Sequence, residues 1–158
     1  MRPLLLALLA TAAIPAHAEL PVQHALPAGI ATTIAQAAIE SCGAKGYPVS
    51  VVVMDRAGAT IVAIRADNAA PHTMENARRK AYTAMTFKTS TTEYAKRYAD
   101  NNPVVRQQVT LPHVIAIPGG LPVKTGNEVI GGVGASGSPG VDEPCVQAGL
   151  DKVAAELR

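Results

Sequence analysis

The run Val49-Ser50-Val51-Val52-Val53-Met54-Asp55-Arg56-Ala57-Gly58-Ala59-Thr60-Ile61-Val62-Ala63-Ile64-Arg65 reads as a β-hairpin. β-Branched residues fill both halves, and such side chains fit the pleated, half-buried surface of a sheet. Asp55-Arg56-Ala57-Gly58 between them has turn chemistry: Asp bonds nearby backbone and Gly accepts positive φ without steric cost. A second hairpin signal follows, with Leu121 to Lys124 and Glu128 to Ala135 flanking Thr125-Gly126-Asn127. Val114 to Ile117 adds another β-branched run, interrupted by Pro118-Gly119-Gly120. The pattern predicts five strands, and hairpin connections make their sheet largely antiparallel.

Helical periodicity surrounds these strands. Ile30, Ile34, Ala38 and Cys42 recur at steps of four, so Ala28 to Cys42 reads as a helix ended by Gly43 and Gly46. Thr73 is placed to cap a helix from Met74 to Phe87, whose Ala77, Ala81, Ala84 and Met85 form a small-residue face able to lie close on a sheet. Ser90-Thr91-Thr92-Glu93 fits a capping box and starts a short helix that ends by Asn101-Asn102-Pro103. The stretch from there to Pro112 is polar and is read without regular structure. Asp142 caps a last helix in which Val146, Leu150, Val153 and Leu157 share a face. The predicted order is α-β-β-α-α-β-β-β-α, an α/β chain of the α+β type with helices packed on an antiparallel sheet.

Composition narrows the class. A chain of 158 residues suits one domain. Aromatic residues make up only 3%, so Val, Ile, Leu and Ala must fill the core. Fourteen basic against twelve acidic residues give a net charge of +2, which argues against a nucleic-acid module with its strong basic excess. Beyond the N-terminus no apolar run approaches the length of a membrane span, so no membrane insertion is expected.

The N-terminus reads as a targeting signal. Arg2 supplies a positive start, an apolar run from Leu4 reaches Ile14, and Ala16-His17-Ala18 is a small-residue cleavage site. Residues 1–18 are therefore expected to be a secretory signal peptide and residues 19–158 a soluble domain, periplasmic or secreted. Two cysteines remain, Cys42 and Cys145. An oxidising compartment favours a disulfide between them. The alternative is two buried thiols acting as small hydrophobes.

Motifs for chemistry are sparse. Gly132-Val133-Gly134-Ala135-Ser136-Gly137 matches G-x-G-x-x-G, but too little chain follows for the second strand of a dinucleotide-binding unit. The glycines are read as sites of close packing. Arg78, Arg79 and Lys80 lie in one helical turn; with Glu75 they form either a solvated face or an anion site near the preceding loop. His24 lies in the leader, His72 in a loop just before a helix, and His113 between Pro112 and a strand. No Ser-His-Asp order, nucleophile elbow or P-loop is present.

Several blocks in order resemble the GlcG/HbpS family, which includes the C-terminal domain of PduO-type proteins. They are Val49 to Gly58, His72 to Ala84, Gly119-Gly120-Leu121-Pro122-Val123, Gly131 to Gly137, and Asp142 to Gly149. The resemblance covers nearly all of residues 19–158. It implies an α/β/α sandwich with an antiparallel five-stranded sheet, homo-oligomers, and haem binding in some members. The Lys80 block and the Gly119-Gly120 loop correspond to the shared motif.

The function expected on this basis is reversible, non-covalent haem binding by an exported protein; without C-x-x-C-H, covalent attachment is excluded. His72 is the expected axial ligand to the metal, because a side chain at a helix start projects into a cleft. Arg78 and Lys80 are expected near the haem propionates, and His113 competes as ligand because its strand leads to Gly119-Gly120. Two other readings stand beside this one. The first is a cofactor-free, tautomerase- or hydrolase-like enzyme acting on an organic acid through His72, Lys80 or Tyr82. The second is an oligomeric accessory module without a small ligand.

Overall fold

The structure is a computed structural model, and it describes residues 20–158. The signal peptide expected over residues 1–18 lies outside the described residues. The elements are α1 (Ala28–Gly43), β1 (Ser50–Asp55), β2 (Thr60–Arg65), α2 (His72–Phe87), α3 (Thr91–Ala99), α4 (Pro103–Gln108), β3 (Gly120–Thr125), β4 (Glu128–Ser136) and α5 (Asp142–Lys152). The four strands form one antiparallel sheet in the order β2-β1-β4-β3.

Alternation along β1 assigns the faces. Val51 and Val53 pack with Ile34, Ala35 and Ala38 of α1 and with Cys145 and Val146 of α5. Val52 and Met54 point the other way, onto Ala77 and Ala81 of α2. This period of two places α1 and α5 on one side of the sheet and α2 on the other, an α/β/α sandwich. The expected fit of the small-residue helix is visible atom by atom. Val52 pairs with Gly134 and Met54 with Gly132. A Cβ at Gly134 would sit 2.3 Å from the Ala77 carbonyl oxygen, and one at Gly132 would sit 2.3 Å from that of Ala81. The α2 backbone therefore rests directly on β4, and side chains at these two positions would force the helix off the sheet.

The expectation of five strands is corrected to four. Val114 to Ile117 has strand composition but joins no ladder. Its backbone is bonded to α2 side chains instead. The Ile115 amide donates to Thr83 Oγ1 at 2.9 Å, and Arg79 donates to the Val114 carbonyl at 2.6 Å. Pro118 lacks an amide to donate, and Val114 is anchored beside Tyr94 and Val105 in a separate small core. The stretch read as polar and irregular contains α4: Asn102 Oδ1 accepts from the Val104 and Val105 amides, and Pro103 takes the first turn. The capping box at α3 forms as expected on its serine side, with Ser90 Oγ accepting from the Glu93 amide.

Cys42, near the end of α1, and Cys145, in the first turns of α5, are joined by a disulfide with Cα atoms 5.5 Å apart. It ties together the two helices on one face. Among the described residues no helix is long and apolar enough to cross a membrane.

Candidate functional site

Helix α2 begins at His72 with Pro71 as its N-cap residue and no side-chain cap, so Thr73, expected to cap a helix from Met74, lies inside the first turn. Thr73 Oγ1 donates to the Ala70 carbonyl at 2.6 Å and lies 2.8 Å from Ser50 Oγ on β1. His72 is thereby held at the first turn, exposed and without a side-chain hydrogen bond among the described residues. One α-helical step of four leads from His72 to Asn76, and another to Lys80. All three line a cleft of about 520 Å³. Pro48, Ala70, Ile117, Pro118 and Pro139 supply apolar walls, and the Ser136–Gly140 loop with Asp142 closes the far side. The volume falls within the roughly 300–1,000 Å³ of small-molecule sites.

The floor of the cleft is a buried ion pair. Lys80 Nζ donates to Asp142 Oδ2 at 2.8 Å and to the Ala135 carbonyl at 2.9 Å. The two side chains are only 2% and 5% exposed. Asp142 Oδ1 accepts from both the amide and the hydroxyl of Ser138, each at 2.9 Å. The carboxylate also stands at the first residue of α5, where the helix dipole favours negative charge. Gly119 and Gly120 make room for this pair. A Cβ at Gly119, whose φ is +124°, would lie 2.7 Å from Asp142 Cβ and 2.9 Å from Lys80 Nζ. At Gly120 it would meet the Lys80 carbonyl at 2.5 Å.

The residues singled out in the sequence thus divide into two groups. His72 and Lys80 line the cleft, whereas Gly119 and Gly120 are not among its lining and pack behind the Lys80–Asp142 pair. Arg78 and His113 meet each other on an adjacent face of α2. Arg78 donates to both Glu75 oxygens at 2.8 and 2.7 Å, and one of its amino groups lies 2.7 Å from His113 Nδ1. Arginine only donates, so Nδ1 is the acceptor in this contact. The His113 ring stands edge-on to Tyr82 with centroids 5.7 Å apart. The Arg78 hydrogen bond holds the Glu75 carboxyl below the usual carboxylate range, and the same bond raises Arg78. His24 is paired with Glu128 at 2.7 Å, far from either group in sequence. Among the described residues no three His, Cys, Asp or Glu side chains converge as a metal cage.

Asp142, Ser138, Asn76 and Ile117 are site residues that sequence reading missed. Asp142 was recognisable only as a helix cap. The available signal was Lys80 itself: a lysine three residues after Ala77 and four before Ala84 is drawn toward the sheet and must find an anion there.

Comparisons with known proteins agree with this architecture. The crystal structure of HbpS is 36% identical, with a TM-score of 0.78, covering 87% of this chain and 97% of that one. Protein ORFY of Klebsiella pneumoniae is 26% identical, with a TM-score of 0.79 over 87% of this chain and 97% of that one. The complex of PduOC with haem is 27% identical, with a TM-score of 0.73 over 82% and 95% of the two chains. No curated protein sequence matches the chain. A family model described as haem degrading protein HbpS-like matches residues 26–151, which run from the first buried leader residue, Leu26, into α5, and the chain belongs to that family.

Proposed function

We propose that this chain is an exported protein that binds haem reversibly in the α2 cleft, with His72 as an axial ligand. The observation that carries the reading is an imidazole free of side-chain hydrogen bonds among the described residues, at the edge of a largely apolar cleft of about 520 Å³. Membership of an HbpS-like family and the likeness to PduOC, solved with haem, support it. Bound haem supplies an iron that takes a ring nitrogen of histidine. The chain's own residues do the rest. Thr73 ties the first turn of α2, which carries His72, to Ser50 of β1 and to the Ala70 carbonyl. Pro48, Ile117, Pro118 and Pro139 would offer apolar contacts to a macrocycle in the cleft.

The charge pattern sets the orientation. Among the described residues lining the cleft, Lys80 is the sole formal cation, and it is already neutralised by Asp142. Arg78 is engaged by Glu75 and His113. Carboxylates entering the cleft would meet no free cation among the described residues, so the propionates of a bound haem would face the mouth and solvent. Titration with haem is expected to give a saturable Soret shift, and haem with esterified propionates is expected to bind within about threefold of the free acid, less than the tenfold that one lost 1.4 kcal/mol contact costs. No saturable shift with either form contradicts haem binding. Loss of affinity for the ester alone contradicts the orientation.

Export rests on the order of Arg2, the apolar run and Ala16-His17-Ala18. N-terminal sequencing of the protein recovered outside the cytoplasm is expected to begin at Glu19; retention of residues 1–18 there contradicts cleavage.

A further inference from the structure

The disulfide lies closer to the cleft than its place between two helices requires. Cys42 Sγ is 3.4 Å from Ser138 Oγ, and both residues are fully buried. Ser138 is the residue whose amide and hydroxyl hold Asp142 Oδ1, and Asp142 holds Lys80. Cys145 follows Asp142 by three residues in α5. Pro48, a few residues beyond the end of α1, forms part of the cleft wall. The loop opposite presses against it, since a Cβ at Gly137 would lie 2.5 Å from the Pro48 carbonyl.

We infer that the Cys42–Cys145 bridge is a positioning element of the cleft, holding Asp142 on Lys80. Two effects combine. The bridge fixes the first turns of α5, and with them Asp142, against the end of α1. It also leaves Cys42 with no proton to donate. The Ser138 hydroxyl has a single proton and one strong acceptor in reach, the Asp142 carboxylate. A Cys42 thiol would bring its own proton to that contact, and α5 would lose its covalent tie to α1. Asp142 would then leave Lys80 part of the time, with only the Ala135 carbonyl as partner. A chain with free thiols therefore carries a looser cleft than the oxidised chain. The consequence for haem rests on the function proposed above; the geometry of the ion pair does not.

The test compares the oxidised protein with the Cys42→Ala/Cys145→Ala variant under conditions where both are folded. Lys80 acylation by a succinimidyl ester is followed by peptide mass spectrometry and normalised to exposed Lys88. The rate is expected to rise by about fivefold or more in the variant, because opening of the pair becomes locally easier. Amide exchange is expected to rise at Ser138 and not at Val51 to Val53 on β1. Asp142→Asn with the bridge intact should reproduce the faster Lys80 reaction, and adding the cysteine changes to it should add less than about twofold, as for two steps of one network. If the variant does not fold, wild type treated with a phosphine takes its place. There the S–S bond breaks, two thiols form, and the phosphine is oxidised to its oxide with oxygen from water. Equal Lys80 rates in bridged and unbridged protein overturn the inference, as does a rise shared equally by the β1 amides. Haem titration of the same proteins separates the two claims. Faster Lys80 reaction with no haem bound by any form leaves the positioning role intact and removes the haem reading. Equal Lys80 rates with haem bound by all forms does the reverse.

Discussion

Asp142→Ala is expected to lower the unfolding free energy by about 3–5 kcal/mol, the cost of leaving one member of a buried ion pair without its partner. Lys80 Nζ would keep only the Ala135 carbonyl, and the Ser138 amide and hydroxyl would lose their acceptor. At 2% exposure the ammonium is shielded from water at the base of the cleft and would be left there without its carboxylate. Removing both charges is expected to be milder. In Lys80→Met/Asp142→Asn the amide oxygen still accepts from Ser138 and the methionine fills the lysine's track, so most of the loss is recovered. Urea unfolding of the three proteins reads both statements. A loss below about 1 kcal/mol for Asp142→Ala, the range of exposed pairs, would mean that the pair is solvated and not a floor.

Loss of the disulfide is expected to be of similar size. The bridge spans 103 residues of sequence. The chain-entropy model assigns about 4–5 kcal/mol to closing a loop of roughly that length, and native disulfides commonly cost 2–5 kcal/mol to remove. Both sulfurs sit in the core of the α1–α5 side with Ile34, Val49 and Val146, so alanines at these positions also leave small voids. Guanidinium unfolding of the oxidised protein and of Cys42→Ala/Cys145→Ala should show the difference in midpoint. Identical midpoints would mean that the bridge constrains neither state.

The residues that decided the fold are those whose neighbours in space are neighbours in sequence. The two hairpins follow from β-branched runs around short turns, and the period of two in β1 assigns both faces of the sheet. The small-residue face of α2 and the glycines of β4 were separately legible, and they meet at Gly134 and Gly132. Val114 to Ile117 was misread because composition alone cannot report who bonds the backbone. Thr83 and Arg79, more than thirty residues earlier, take the hydrogen bonds that a fifth strand would have used. The α4 helix was missed although Asn102-Pro103 is a cap followed by a first-turn proline, because six residues offer too little periodicity to stand out.

The site divides along the same line. His72 and Lys80 are eight residues apart, close to two full helical turns, so their shared face is implied by sequence. Arg78 is only two residues from Lys80, and two residues rotate it by about 200° to another face. Proximity in sequence grouped Arg78 with Lys80, and in the structure Arg78 is tied to Glu75 and His113 on the neighbouring face. Asp142 lies 62 residues beyond Lys80, and only the packing of α5 against the sheet brings the two together.

Haem binding in the α2 cleft through His72, as proposed above, is decided by titrating haem into wild type, His72→Ala and His113→Ala and reading the Soret band and affinity of each. His72 lines the cleft, whereas His113 is engaged by Arg78 and Tyr82 on the neighbouring face. Wild type and His113→Ala are expected to bind alike, with His72→Ala weakened by about tenfold or more and its Soret band displaced, as for loss of an axial ligand. Haem bound equally well by His72→Ala, with an unchanged spectrum, would contradict the assignment of the site.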